Sequence, residues 1–131
     1  MSEGTKRNIS VVKDADGNKI VVINDIIFKG KRSINWKDVR EYLKNYIGDF
    51  YTIASTGDIV YIGLDLPNEY SGSKYTHSIK GTNAKAKANA AQGIPELIEI
   101  AVGKHFRENT EAKHWRNAKF GWYRYDSRFA L

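Results

Sequence analysis

His77, His105 and His114 stand among lysines and arginines in the second half of a 131-residue chain, and that company suits metal-free phosphate chemistry. A histidine titrates near neutral pH, so it can take a proton from a ribose hydroxyl or return one to a leaving oxygen. An arginine beside it stabilises a pentavalent phosphate. His77, His114, Arg124 and Arg128 are the candidate catalytic set for such a step. His114 lies in polar sequence between Lys113 and Trp115, although a lone exposed histidine more often does nothing. His105 follows Ala101 by four residues on an apolar stripe of helical spacing and reads as a hydrogen-bonded residue at the edge of the core.

A second set suits binding without chemistry. Lys74, Lys80, Lys85 and Lys87 surround the start of an alanine-rich helix, and no acid occurs between Tyr70 and Glu96. Free N–H groups and partial positive charge already collect at a helix N-terminus, so lysines there make a seat for phosphate. The plainer reading of equal weight is a solvated helix face, and Lys85 and Lys87 do not share a side of the helix. Lys113, Arg116 and Lys119 then alternate with aromatic residues, a pattern that meets phosphates and unstacked bases. On a strand, Phe120 and Trp122 face one way while Tyr123 and Tyr125 face the other, which leaves the tyrosines for bases or for a second packing layer.

Charge is divided unevenly. Residues 1–73 hold ten Lys/Arg and ten Asp/Glu, whereas residues 74–131 hold eleven and five and so carry the whole +6. Nucleic acid is the first partner implied, with RNA favoured, and a nucleic-acid-bound protein complex is the second. No cofactor or metal is expected: Asp58, Asp65 and Glu69 show no convincing relation, and Asp14-Ala15-Asp16-Gly17-Asn18 lacks the later glutamate of a calcium loop. A P-loop, a dinucleotide fingerprint, a His-Glu-x-x-His site and a nucleophile elbow are all missing from the sequence.

These residues need elements to hold them. Ile9–Lys13 and Lys19–Ile23 form a hairpin around an Asp-Gly turn, and Ile26-Ile27-Phe28 extends its second strand or begins another before Gly30. Asn35 caps a helix with Trp36, Val39, Leu43 and Ile47 at helical spacing, stopped by Gly48. Residues 50–54 and 59–64 make a second hairpin. Residues 65–81 read as a long polar loop, 83–92 as the alanine helix, able to lie close to another surface, and 94–106 as a helix burying Ile94, Leu97, Ile98, Ala101, Val102 and Phe106. Residues 120–125 and 128–131 close the chain as strands. The expectation is a single α+β domain spanning 1–131, an antiparallel sheet of short hairpins packed against two or three helices.

Zero cysteines exclude disulfides and thiolate zinc sites and fit a reducing compartment. With no apolar leader in MSEGTKRNISVV and no long apolar run, the chain reads as cytoplasmic, with no membrane partner.

The stretch SKYTHSIKGTNAKAKANAAQGIPELIEIAVGKHF followed by KFGWYRYDSRF resembles domains of large polyvalent proteins of phages and conjugative elements. Those resemble the barnase, EndoU, colicin and RelE-like nuclease superfamily, in which helices precede a curved antiparallel sheet that cradles RNA. The resemblance implies that His77 and Lys80 belong to a basic loop before the helices and Arg124 and Arg128 to the sheet. It also implies further strands beyond the point matching Leu131, so that part of the site would be missing. Three functions follow as expectations: a nucleic-acid-binding accessory or anti-defence protein, which needs only charge and aromatics and ranks first; a metal-independent ribonuclease; and a protein-interaction domain.

Overall fold

The computed structural model describes residues 7–30, 33–108 and 121–131, with the backbone alone at 107–108 and 121–123. In chain order the elements are β1 (Ile9–Lys13), β2 (Lys19–Ile23), α1 (Trp36–Leu43), β3 (Phe50–Thr52), β4 (Ile59–Tyr61), α2 (Leu66–Gly72), α3 (Lys74–Ser78), α4 (Gly81–Ala90), α5 (Ile94–Glu99), β5 (Val102–Glu108), β6 (Gly121–Asp126) and β7 (Phe129–Ala130). The fold is α+β. The described strands form three small sheets: β1-β2-β7, β3-β4 and β5-β6. Every pairing is antiparallel except that of β7, which runs parallel to β2 with Phe129 beside Val21.

Local chemistry accounts for the first hairpin and the first helix. Asp14 Oδ1 accepts from the backbone N–H of Asp16 and of Asn18, and Gly17 takes φ +83°, the left-handed conformation that the turn requires. Asn35 caps α1 by accepting from the Lys37 N–H at 3.1 Å. A short 3-10 turn, Lys44–Tyr46, continues α1 and ends at Gly48, with φ +90°.

The core gathers side chains of α1, α4 and the 3-10 turn Ala91–Gly93 that follows α4, with α2 packed against it. Val39, Leu43 and Tyr46 pack with Ala84, Ala88 and Ala91, and Tyr46 donates its hydroxyl proton to the Ala91 carbonyl at 2.8 Å. Ala84 and Ala88 on α4 and Ala91 in the turn after it are the small side chains that this cluster buries. Tyr46 replaces Ile47 at the end of the buried stripe because the chain tightens after Leu43 and rotates it. A second contact sets β2 on the 3-10 turn Ala91–Gly93, where a Cβ on Gly93 would stand 3.0 Å from Val21 Cγ1.

Three sequence expectations are corrected. Residues 26–28 form no strand: the Ile27 and Phe28 N–H groups donate to Asn89 Oδ1, and Asn89 Nδ2 returns a bond to the Phe28 carbonyl. Residues 65–81 are largely helical, because the hydroxyls act as caps and struts. Ser73 Oγ accepts from the Thr76 N–H, and buried Thr76 donates to the Tyr70 carbonyl. Residues 94–106 are not one helix. The Glu99 carbonyl at the end of α5 accepts from the Ala54 N–H, and just beyond the helix the Ala101 carbonyl accepts from Ser55 Oγ, so the β3–β4 turn takes the acceptors with which a helix would have continued. Gly103 then adopts φ +69°, and the chain leaves as β5 with Val102 and Phe106 exposed. Among the described residues no helix is long and apolar enough to cross a membrane.

Candidate nucleic-acid interface

β5 and β6 form an arm. His105 lies opposite Arg124 and Phe106 opposite Tyr123, while the register shifts between Val102 and His105. Gly103 permits that shift, since a Cβ there would stand 3.1 Å from Asp126 Oδ2 in a left-handed conformation. Residues 102–106 are exposed throughout, as is Arg124. Directly opposed residues of an antiparallel pair share a face, so His105 and Arg124 stand side by side toward solvent. His105 is therefore not at the edge of the core. The apolar spacing that suggested burial is the strand's own mixture of Val102 and Phe106.

Asp58, in the β3–β4 turn, fixes the root of the arm. Its Oδ2 accepts from Lys104 Nζ at 2.8 Å, from Thr56 Oγ1 at 2.9 Å and from the Tyr125 hydroxyl. The bonds from Lys104, Tyr125 and Thr56 hold the carboxyl down to about 2, and Asp58 in turn pushes the Tyr125 phenol up. A lowered carboxyl pKa stabilises the fold at every pH above its unfolded value near 4, and the contribution vanishes as pH falls through that value toward about 2. Arm anchoring is thus expected to persist at pH 5 and to fail between about pH 4 and 2, and Asp58→Asn should release it at neutral pH. Hydrogen exchange of the β5 and β6 amides checks this; unchanged protection in Asp58→Asn would refute the anchor.

The lysines divide. Lys87 Nζ donates to Thr76 Oγ1 at 2.6 Å and lies 4.8 Å and 5.2 Å from the ring centroids of Tyr70 and Tyr75. Burial lowers its pKa, so it ties α4 to α2 and α3 rather than reaching for solvent. Lys85 points elsewhere. With Lys29, Gly81 and Thr82 it lines a cavity of about 670 Å³ at the start of α4. Lys80 precedes that start in an extended conformation, and among the described residues its side chain makes no capping bond to the helix. Lys29 is a cation that sequence reasoning missed: only the packing of the 25–30 segment on Asn89 brings it there.

Lys74 and His77 are exposed on α3. Arg128 lies 3.7 Å from Asp14 Oδ2 and lines a different cavity, of about 510 Å³, with Lys19, Ser55, Glu99 and Asp126. The acids around it make that cavity less suited to phosphate than the start of α4. The structure thus groups His105 with Arg124 on the arm and Lys29 with Lys80 and Lys85 at α4, while Arg128 belongs to the first hairpin's turn. Tyr125 sits at the arm's root. Lys113, His114, Arg116 and Lys119 lie outside the described residues, as does the side chain of Tyr123. No protein-family model, curated protein or solved structure matches the chain.

Proposed function

We propose that this protein binds nucleic acid, with single-stranded RNA favoured, along the β5–β6 arm and the basic start of α4. The observation that supports it most is the exposed arm, which sets Arg124 beside His105 and whose span of 102–126 holds six Lys/Arg against three Asp/Glu. A thin ribbon with cations and rings can follow a flexible phosphate backbone and offer stacking surfaces to its bases. An accessory or anti-defence role in a phage or mobile element belongs to the same proposal and depends on that binding.

Fluorescence anisotropy with a short single-stranded RNA tests it. The affinity is expected to fall with salt at roughly 0.7 per neutralised phosphate on logarithmic axes. Replacing Arg124 and Lys85 together by alanine should weaken binding roughly tenfold and flatten that slope by one to two phosphates' worth. Unchanged affinity in the double variant would remove both surfaces from the interface. If the native protein shortens the RNA in EDTA during the same titrations, the reading moves to a metal-independent ribonuclease with His105 as the proton carrier beside Arg124.

A further inference from the structure

The β3–β4 hairpin has two unlike faces. Tyr51 and Val60 pack on the core, whereas Phe50, Ile59 and Tyr61 on the other face are 63%, 66% and 68% exposed. Phe50 lies opposite Tyr61 and Thr52 opposite Ile59, so the four make one uncharged patch. The Ile53 N–H donates to the Asp58 carbonyl and the Ile62 N–H to the Asp49 carbonyl. That alternation makes Tyr51 and Val60 the bonded pair between them, and it turns the N–H and C=O groups of Ile59 and Tyr61 away from β3. β3 and β4 make a two-stranded sheet, so this outer edge of β4 is unpaired among the described residues. An open edge beside an apolar face is a template for another strand.

Charge narrows the occupant. Between Asn45 and Ser73 the sequence contains Asp49, Asp58, Asp65 and Glu69 and no lysine or arginine. Asp49 and Asp58 stand at opposite ends of the hairpin. Asp58 is occupied by Lys104, but Asp49, Asp65 and Glu69 meet no cation at ion-pair distance among the described residues. Arg7 reaches the hollow beside Asp49 and Phe50 but is held by Glu96, and Glu99 lines the same hollow, so acids outnumber cations there, which disfavours a phosphate backbone and a second copy of the same patch. We propose that this edge docks an extended, basic polypeptide segment, paired along the outer side of β4 with its apolar side chains over Phe50, Ile59 and Tyr61. The inference does not depend on the nucleic-acid reading, because it concerns a different surface of opposite charge.

The probes are two fluorescein-labelled peptides, Lys-Lys-Val-Thr-Val-Thr-Val-Lys-Lys and the same sequence with glutamate for lysine, added to the full chain. The basic peptide should bind at least roughly tenfold more tightly than the acidic one, with an affinity that weakens as salt rises. Tyr61→Pro removes one outward N–H without touching the bonds to β3 and should cost roughly tenfold in peptide affinity. Ile59→Lys, which keeps the backbone intact, should do the same through charge and serves if the proline variant loses its circular dichroism. Equal affinity for the two peptides, no binding of the basic one, or indifference to both substitutions overturns the proposal. Displacement of the peptide by RNA would assign the edge to nucleic acid, and a concentration-dependent dimer abolished by Ile59→Lys would assign it to a second copy. RNA binding that survives Ile59→Lys while peptide binding is lost keeps the two surfaces separate.

Discussion

Replacing Asn89 by leucine is expected to lower the free energy of unfolding by about 3–5 kcal/mol, a large share of what a domain of this size possesses. The side chain is fully buried and makes four bonds to backbone: Oδ1 accepts from Ile27 N and Phe28 N, both at 3.1 Å, and Nδ2 donates to the carbonyls of Phe28 at 3.0 Å and Lys85 at 2.9 Å. Leucine leaves the Phe28 N–H and C=O without partners in a half-buried place, each worth roughly 1–3 kcal/mol. Ile27 N retains Gln92 Oε1 at 3.3 Å, which limits its loss. Urea titration measures the change. A cost below about 1 kcal/mol would mean that the 25–30 segment turns to water without penalty and that Asn89 is not its clamp. Since Lys29 is carried by this segment, the substitution should also weaken RNA binding more than its distance from any phosphate suggests.

Leu43→Ala should cost about 3–4 kcal/mol. Leu43, the last residue of α1, is fully buried in the cluster that also holds Ile34, Val39, Ile62, Ala84, Ala88 and Ala91, so its removal leaves a cavity in the centre of the core. The Tyr46 bond to the Ala91 carbonyl holds this cluster in place around the missing side chain, which places the expected loss inside the large-to-small range. Ile47→Ala, one turn further on and only half-buried, should cost about 1 kcal/mol. Similar values for the two would contradict the rotation of the stripe after Leu43.

That rotation was not legible in the sequence, where Ile47 completes the stripe, whereas shorter-range signals were. Asp14 with Gly17 and Asn35 with Asp38 carry their instructions within a few residues, so the first hairpin has the expected strands and α1 begins where expected, although it gives way to a 3-10 turn after Leu43. The alanine helix was legible for the same reason, and so was its need for a close neighbour. The 94–106 segment was not, because Ile94, Leu97, Ile98, Ala101, Val102 and Phe106 fit a helix until Gly103 and the capture of the Glu99 carbonyl by Ala54 are known. One misread period moved His105 from the arm to the core and hid its position beside Arg124. At residues 26–28 the strand-like residues were real, but a side-chain amide from α4 takes the bonds a neighbouring strand would have taken. The charged site was half legible. Composition located the cations, yet Lys87 turns inward to Thr76 and Lys29 arrives from a segment outside the basic half.

The parallel pairing of β7 with β2 has a consequence for synthesis. The first hairpin can close as soon as Ile23 is made, but the Val21 N–H waits for the Arg128 carbonyl, and Val21 itself for Phe129. At ordinary elongation rates that is roughly 5–20 s during which one side of β2 has no partner strand. The loop to be closed is nearly the whole chain and the gain is two residues of ladder, so the pairing belongs on the native side of the folding barrier. Its strength should therefore act on how slowly the finished protein opens and hardly at all on how fast it folds.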